Sequence, residues 1–179
     1  MEKLRIISGK YKGRTLKVPD TKGVHPMGSR EKIALFNMIN DAVPGNFVLD
    51  AFSGSGALGI EAISRGAGLV VFLEKSHVAY RTIIENLESI GEYGRHGIPG
   101  CGDAYKILAT ATDRFGIVIA DPPYDKYDPE KIKVVAKVVA DPIGILVLSH
   151  PGEAPEMPGL KLEKTRSYAG ANISVYHHI

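Results

Sequence analysis

The sequence predicts an α/β protein with a mostly parallel β-sheet and helices on both of its faces. Short apolar segments typical of buried strands alternate with segments of helical period, which is the pattern of right-handed βαβ crossovers. Loops rich in glycine or proline directly follow two of these strands, at 50–56 and 121–124. The last two predicted strands have no helix between them, so we expect the final strand to run antiparallel to its neighbours.

The elements are expected in a definite order along the chain. LRIIS and RTLKV flank the turn residues GKYKG, which predicts a basic β-hairpin in an extension of residues 1–25, before a main domain of residues 26–179. A helix is expected from Ser29, placed to cap it, to a stop at Pro44, with Met27 and Phe36 in the core. The remaining pattern predicts strands at 47–52, 69–74, 116–121, 144–149, 160–166 and 173–178, one more strand within 91–102, and helices at 57–67, 77–90 and 131–139.

Length and composition exclude several classes of protein. The 179 residues suffice for one domain, and 44% hydrophobic with 23% charged residues is ordinary for a globular protein. No apolar run approaches the ~18 residues of a membrane span, and the charged first residues are unlike a secretory signal. Cys101 is the only cysteine, which excludes an internal disulfide and a cysteine-based zinc cluster. We expect a cytoplasmic monomer with no metal and no membrane partner.

Positive charge is concentrated at the amino-terminal end. Residues 1–32 carry nine basic and three acidic side chains, whereas the rest of the chain has four more acidic than basic ones. A basic arm on a mildly acidic body is typical of a surface that binds a polyanion, although charged hairpins that bind nothing are also common. The residues expected to contact phosphates are Arg5, Lys10, Lys12 and Arg14.

The loop after the first main-domain strand reads DAFSGSGALGIE, from Asp50 to Glu61, and contains the G-x-G-x-x-G pattern. Glu74 follows Gly54 by twenty residues, where an acid accepts hydrogen bonds from ribose hydroxyls. NAD and S-adenosylmethionine fit these features almost equally, and a chance match is the remaining alternative. Asp50 favours S-adenosylmethionine, because a carboxylate before the loop repels a pyrophosphate but pairs with the ammonium of a methionyl group.

Asp121-Pro122-Pro123-Tyr124 stands directly after the strand GIVIA. Two consecutive prolines have fixed φ angles and no amide hydrogens, so the turn is rigid and its carbonyls are expected to face the crevice. The Asp121 carboxylate and the Pro122 carbonyl are placed to accept both hydrogens of an exocyclic amine, and Tyr124 to stack on its base. The alternative is a plain turn with a core tyrosine. The pattern favours a methyltransferase that acts on a base amine.

DAFSGSGALGIEA and ADPPY together resemble the Class I S-adenosylmethionine-dependent methyltransferases that modify amino groups of bases. RIISGKYKGRTLKVP, followed by HPMGSREKIALFN, resembles more specifically the RsmD family, which methylates N2 of guanine in small-subunit (16S) rRNA. The resemblance implies a Rossmann-like seven-stranded fold, S-adenosylmethionine as cofactor, and the rRNA or an assembled small subunit as partner. It implies cofactor contacts from Asp50, Phe52, Gly54, Ser55, Gly56, Glu74, Asp103 and Ala104, a catalytic loop of Asp121, Pro122, Pro123 and Tyr124, and an RNA contact from Arg30.

The chain departs from the family's R-P-T-x-D-R-x-R-E pattern before L-F-N. Arg30 is retained and Lys32 replaces an arginine, whereas polar or charged family residues are replaced by His25, Met27, Ser29 and Ile33. We expect these changes to alter RNA affinity or shift the target.

Three other functions are alternatives. One is an adenine-N6 or other base-amine methyltransferase acting on another RNA or DNA, and another is an inactive RNA-binding module. The third is an NAD-linked oxidoreductase, for which a catalytic Tyr/Lys or His/Arg set is missing.

Overall fold

A computed structural model describes residues 4–21, 26–168 and 170–179. Its strands are β1 (Phe47–Asp50), β2 (Leu69–Glu74), β3 (Gly97–Cys101), β4 (Ile117–Ala120), β5 (Ile145–His150), β6 (Leu160–Tyr168) and β7 (Ala171–His178). Its α-helices are α1 (Ser29–Ile39), α2 (Ala57–Ser64), α3 (His77–Ser89) and α4 (Ala104–Thr110). Within these described ranges, no helix has the length and apolar character needed to cross a membrane.

The seven strands form one sheet in the order β3-β2-β1-β4-β5-β7-β6. β1 pairs in parallel with β2 and β4, and β3 and β5 extend the parallel part on either side. β7 runs antiparallel to both β5 and β6. The strand order reverses between β1 and β4, which is where open α/β sheets form their ligand crevice. The predicted α/β fold, mostly parallel with the last strand antiparallel, is confirmed.

Apolar side chains form a core on each face of the sheet. On one face, α1, α2 and α3 pack on buried residues of the central strands such as Val48, Phe72 and Ile119. On the other face, α4 and a 3-10 helix at Lys131–Val138 pack on their sheet neighbours, among them Leu49. Because the central strands are covered on both faces, their sequences are continuously apolar rather than alternating.

The segment predicted as a helix at 131–139 is the 3-10 helix at Lys131–Val138. Three of its residues are valines, and Val139 follows directly. β-Branched side chains weaken an α-helix. Its end is also drawn into pairing with the start of β4, since the amide of Phe115 donates to the carbonyl oxygen of Val138 at 2.8 Å. The helix predicted at 131–139 is therefore present, and the structure shows it to be of the 3-10 type.

The start of α1 also differs from the prediction. Ser29 is the first helical residue, and Gly28 holds the cap position, where its carbonyl oxygen accepts the amide of Lys32 at 3.0 Å. Phe36 is fully buried and Met27 packs against the same core, so their predicted core placement is confirmed. His25 lies outside the described residues.

The amino-terminal arm, residues 4–21, folds back on itself as predicted but does not form two regular strands. A single bridge pairs Arg5 with Thr15. The buried carboxylate of Glu61, on α2, accepts hydrogen bonds from the amides of Ile7 (2.8 Å) and Ser8 (2.9 Å). Hydrogen bonds across the hairpin run from the amides of Ile6, Gly13 and Leu16 to the carbonyl oxygens of Arg14, Ile6 and Leu4, at 3.0, 2.8 and 2.8 Å. The hairpin is therefore present, and its pairing is short because the amides of Ile7 and Ser8 donate to α2 instead.

Two more buried side chains hold the arm against the domain. The Nζ of Lys32 donates to the carbonyl oxygen of Arg5 at 2.7 Å. The side chain of Asn86, on α3, accepts the amide of Lys17 at 2.8 Å and donates to the carbonyl oxygens of Lys17 and Ser55, both at 3.0 Å. One asparagine thus connects the basic arm with the glycine loop. The boundary expected after residue 25 adjoins residues 22–25, which are outside the described part of the chain.

Candidate active site

Three acidic residues meet at the carboxyl-terminal edge of the parallel strands. Asp50 ends β1, Glu74 ends β2, and Asp121 directly follows β4. The central position of β1 places Asp50 in register with residues of both neighbouring strands. Burial is the largest cause that raises the pKa of Asp50, and the charges of Asp121 and Glu74 raise it further. The structure therefore brings together the three strand-end acids that the sequence indicates.

The loop between β1 and α2 is held mainly by its own backbone. The amide of Ser53 donates to the carbonyl oxygen of Leu73 at 3.0 Å, and its hydroxyl donates to the carbonyl oxygen of Asp50 at 2.8 Å. Gly54 and Gly56 have φ angles of 54° and 79°, in the left-handed region that favours glycine. The amide of Gly56 closes the turn on the Ser53 carbonyl at 2.7 Å, and α2 begins at the next residue. The turn thereby directs the positive amino end of α2 towards the crevice.

Asp50 is fully buried beneath this loop. Its Oδ2 accepts the amide of Gly59 at 2.9 Å, whereas its Oδ1 is buried and has no hydrogen-bond partner among the described residues. Burial raises the pKa of this carboxyl to about 7, with a smaller opposing effect from the Gly59 amide. An unpartnered buried carboxylate oxygen is costly unless a donor or cation reaches it. The position therefore fits an ammonium group such as that of a methionyl moiety.

Glu74 is oriented by backbone amides on both of its carboxylate oxygens. The amide of Gly54 donates to Oε2 at 2.8 Å, and the amide of Ser76 donates to Oε1 at 2.7 Å. A carboxylate offers about four lone-pair positions, so each oxygen retains the capacity for a further hydrogen bond. The arrangement fits two vicinal hydroxyls of a ribose, held beside the glycine loop.

Asp103 caps α4, because its Oδ1 accepts the amides of Tyr105 at 2.9 Å and Lys106 at 3.3 Å. Tyr105 packs against Phe52, which follows β1, with ring centroids 5.2 Å apart and planes inclined by 56°. Ala104 is buried at the start of the same helix. The cap uses only Oδ1 of Asp103, so Oδ2 is left to accept a hydrogen bond from an exocyclic amine. The aromatic pair beside it fits the ring of a purine.

The D-P-P-Y loop is linked to β5 through Ser149. The Ser149 hydroxyl bonds both the Asp121 carboxylate and the Tyr124 hydroxyl. Because Ser149 has a single proton, donation to Asp121 leaves Tyr124 as the donor to Ser149. Desolvation raises the pKa of Asp121 to about 6, and the Ser149 hydrogen bond lowers it in part. Pro122 is buried and Pro123 exposed, so the rigid turn is anchored at its first proline.

Ser149 is a site residue that the sequence reasoning missed. A usable signal is nonetheless present in the sequence, because Ser149 comes at the end of the apolar run GILVL. β4 and β5 are parallel neighbours, with Ala120 in register with Leu148, so residues directly after these two positions share one edge. A polar residue at that place in a neighbouring parallel strand is expected to contact the ligand loop.

The amino end of α1 is an electrostatic neighbour of the D-P-P-Y loop, residues 121–124, which we call the acceptor loop because it offers hydrogen-bond acceptors. Burial is the main cause that raises the pKa of the Tyr124 hydroxyl, and the charges of Asp121 and Glu31 contribute to the rise. Glu31 lies in the first turn of α1 and is therefore an electrostatic neighbour of the loop. Arg30, the predicted RNA contact beside it, is exposed. The segment in which this chain departs from the family pattern thus adjoins the acceptor loop.

The basic residues of the arm differ in their surroundings. Arg5 and Lys12 are exposed. Lys10 is also exposed, and its Nζ lies 3.5 Å from the buried carboxylate of Glu92. Arg14 donates from Nη1 to a main-chain oxygen of α3 at 3.0 Å. All four cations face solvent, but Lys10 and Arg14 also hold the arm in place.

The described residues do not support a metal site or a serine nucleophile here. Across residues 4–21, 26–168 and 170–179, no group of three His, Cys, Asp or Glu side chains is placed to hold a metal ion. The hydroxyl of Ser53 is engaged by the Asp50 carbonyl, and Ser55 is buried. The polar side chains of this edge described above thus include those of the strand-end acids and of the D-P-P-Y loop.

Known proteins are similar to this chain both in sequence and in fold. Residues 4–177 match the model of the family described as "Conserved hypothetical protein 95". The chain is 32% identical over 184 residues, 97% of this chain and 98% of the relative, to "Putative rRNA methyltransferase YlbH" of Bacillus subtilis. It is 35% identical over 121 residues to "Ribosomal RNA small subunit methyltransferase D" of Escherichia coli, which covers 68% of this chain but only 60% of that relative. A solved structure, "Putative methyltransferase yhhF from Escherichia coli", superposes with a TM-score of 0.86 at 26% identity, over 99% of this chain and 98% of that one.

Proposed function

Because this chain belongs to the family described as Conserved hypothetical protein 95, the RsmD family that its motifs resemble, we propose that it methylates N2 of a guanine in small-subunit rRNA. The observation that carries the proposal is the pairing of two features at one sheet edge. One is the glycine loop over the unpartnered oxygen of Asp50, and the other is the rigid acceptor loop held by Ser149.

The first feature provides a place for S-adenosylmethionine, which supplies an electrophilic methyl group on a sulfonium sulfur. The Asp50 carboxylate binds the ammonium group and is thereby stabilised in its ionised form. Glu74 accepts the two ribose hydroxyls through the free lone pairs of oxygens that are already oriented. The remaining cofactor contacts that we propose come from Phe52, Gly54, Ser55, Gly56, Asp103 and Ala104, with Asp103 at the adenine amine.

The second feature positions the base. The Asp121 carboxylate and the Pro122 carbonyl accept the two hydrogens of the amine, so that its lone pair points away from both acceptors. Guanine N2 is a poor nucleophile because its lone pair is delocalised into the ring, and these hydrogen bonds raise its electron density as charge develops. Tyr124 stacks on the base, and Pro123 keeps the turn rigid. Holding the amine in line with the methyl carbon is the main contribution of the chain.

Proton removal follows from the same geometry. A methylated amine that has gained positive charge is a strong acid, so no strong base is needed during transfer. Asp121 already touches the amine, and its pKa of about 6 suits a group that takes the proton late and releases it to solvent. Ser149 acts as a positioning residue, since it orients Asp121 and Tyr124 together.

The choice of guanine rests on the relatives and on the amino-terminal half. The D-P-P-Y loop accepts any exocyclic amine, so it is equally compatible with adenine N6. The small-subunit rRNA methyltransferase of Escherichia coli favours rRNA, and the resemblance of residues 5–19 and 25–37 to the RsmD family favours guanine. Arg5, Lys10, Lys12, Arg14 and Arg30 then hold phosphates of the rRNA or of an assembled subunit, and the protein works as a cytoplasmic monomer.

The test uses the chain with radiolabelled S-adenosylmethionine and unmodified small ribosomal subunits, naked small-subunit rRNA serving as a second substrate. After digestion to nucleosides, we expect label in N2-methylguanosine, and no label with Asp121→Ala. The exposed neighbour Asp125→Ala is the matched control and should retain activity. Label in N6-methyladenosine would overturn the base assignment, and tight cofactor binding with no label in either RNA would overturn the substrate.

A second experiment addresses the arm. Replacement of Lys10, Lys12 and Arg14 by alanine should weaken rRNA binding, with a salt slope reduced by about 2 to 3, and leave cofactor affinity unchanged. Lys12→Ala alone is the most direct test of phosphate binding, because Lys10 and Arg14 also hold the arm against the domain. Wild-type affinity of the triple variant for rRNA would remove the arm from the binding surface.

A further inference from the structure

A groove of about 290 Å³ opens between α1 and the edge strand β6, away from the residues assigned above. Two of its lining side chains are cationic and one is aromatic, and none is acidic. Its residues are Ala34, Asn37 and Met38 from α1 and Lys164, Arg166 and Tyr168 from β6. We call this the β6 groove. Cations beside an aromatic ring are the side chains with which proteins bind single-stranded nucleic acid.

A β-bulge directs these side chains into the groove. The pairing of β6 with β7 shifts register between Leu162 and Lys164. Before the shift, Leu162 lies in a cavity with Tyr176, on the face of the sheet that α4 covers. After it, Arg166 pairs with Ile173, which belongs to the core under α1. With strict alternation, even-numbered residues would all have stayed on one face, so the bulge turns the two cations towards α1.

The groove leads to the acceptor edge of the sheet. β6 runs in the same direction as β5, because both are antiparallel to β7. Its last residue, Tyr168, pairs with Ala171, and the next residue of β7, Asn172, pairs with His150 at the end of β5. Tyr168 therefore lies two strand spacings, about 10 Å, from the end of β5, where Ser149 holds the acceptor loop. Arg166 and Lys164 lie successively further along β6 from that edge.

The groove side chains are available to a ligand. Arg166 is exposed, with no ion pair inside the described ranges. Lys164 lies 3.5 Å from Glu163, in a solvent-exposed pair of the kind that contributes little and is readily exchanged for a phosphate. Tyr168 is partly buried against the core under α1, so its ring is already held in place. A ring that is ordered in advance binds a base with little further loss of entropy.

We propose that the β6 groove binds the single-stranded RNA next to the target nucleotide, with phosphates on Lys164 and Arg166 and a base on Tyr168. The proposal rests on the proposed function for its choice of RNA. It adds a second binding surface, on the acceptor side of the site, to the basic arm, which docks on α2 and α3. RNA contacts on both sides would hold the strand while the target base is in the acceptor loop.

The test compares Lys164→Ala/Arg166→Ala with Lys137→Ala/Lys161→Ala, which removes the same charge from exposed positions outside the groove. Binding of a fluorescent single-stranded RNA and of small-subunit rRNA is measured against salt, with circular dichroism as a check on folding. The groove variant should bind about tenfold more weakly, with a salt slope lower by about 1.4. Equal loss in both variants would overturn the groove as a site and leave only general attraction between charges.

Tyr168 supplies an independent test of base contact. Tyr168→Leu should weaken RNA binding about tenfold, whereas Tyr168→Phe keeps the ring and should bind like the unaltered chain. Wild-type RNA affinity in Tyr168→Leu would overturn the stacking contact. Affinity for S-adenosylmethionine should stay unchanged in every groove variant. If the groove variants bind and methylate RNA like the unaltered chain, this inference alone is refuted. If the unaltered chain methylates no RNA but the groove variants still lose RNA binding, the proposed function alone is refuted.

Discussion

β1, β2 and β3 carry the part of the site assigned to the cofactor, and β4 and β5 carry the part assigned to the base. On the cofactor side, the loop and Glu74 are held by backbone amides and carbonyls. On the acceptor side, Asp121 and Tyr124 depend on one side chain, Ser149. Backbone groups are unaffected by most substitutions of surrounding side chains, whereas the link through Ser149 is lost with one substitution. Mutations on the two sides should therefore impair cofactor binding and base methylation separately.

The two sides are nevertheless joined by charge. Asp50 is buried and Asp121 is half-buried, and the pKa of Asp50 is raised mainly by burial and further by the charge of Asp121. The ammonium that we assign to Asp50 relieves part of this repulsion. Binding of the cofactor is therefore expected to favour the ionised form of Asp50 against the repulsion from Asp121.

The largest expected separation of the two sides comes from Asp121→Asn. The amide presents N–H groups where the base amine needs an acceptor, so kcat should fall by about 10²- to 10³-fold. The Kd for S-adenosylmethionine, measured by calorimetry, should change less than about threefold. Asp125→Asn, an exposed change in the same loop, is the control. A parallel loss of cofactor affinity would show that the sides are not separable.

The converse variant, Asp50→Asn, should lose cofactor binding by about 100-fold. A carboxyl whose pKa is raised to about 7 by folding costs stability as pH rises from about 4 to 7, and the whole cost is present above pH 7. The amide removes that cost, so at pH 8 the free energy of unfolding should rise by about 1 to 3 kcal/mol. Urea denaturation measures it, with the exposed Asp41→Asn as control. A stability difference between the variant and the unaltered chain that stays the same from pH 4 to pH 8 would contradict the assigned ionisation.

The two sides should respond to pH with different midpoints. Because the pKa of Asp121 is raised to about 6, its acceptor form is lost as pH falls through 6, and kcat should then decrease about tenfold per pH unit. Cofactor affinity should decline earlier, as pH falls below about 7 and Asp50 becomes protonated. Rates at saturating cofactor, measured from pH 5 to 8, separate the two effects. A single midpoint common to kcat and Kd would contradict the assignment.

The smallest effect is expected from Ser149→Ala. Loss of its hydroxyl removes a hydrogen bond that lowers the pKa of Asp121, so the midpoint of the kcat profile should move to higher pH. At pH 8, kcat should fall about three- to tenfold because Asp121 and Tyr124 are no longer held together. Ser89→Ala, an exposed change at the end of α3, serves as control. An unshifted profile would show that Ser149 only supports the fold.

Particular residues show how far sequence reasoning reached. Gly54 and Gly56 lie in the left-handed region that the glycine pattern predicts. Gly59, the third glycine, has a packing reason as well, since a Cβ there would lie 2.2 Å from the Phe72 ring. By contrast, the arm pairs over a shorter length than predicted and the helix at Lys131–Val138 is of the 3-10 type, because Glu61 and Phe115 supply partners from elsewhere in the chain. Local propensity contains no information about such partners.

Local sequence patterns were enough to predict the apolar strands, the glycine loop, the strand-end acids and the D-P-P-Y turn. These features depend on residues close together in the chain, whose φ angles, hydrogen-bonding groups and apolar period are local properties. Only the tertiary structure placed Ser149 between Asp121 and Tyr124, tied the arm to the glycine loop through Asn86, and turned Arg166 towards α1 at a bulge. Each of these joins residues distant in sequence, and their contact depends on strand register and side-chain burial, which arise only when the whole sheet packs.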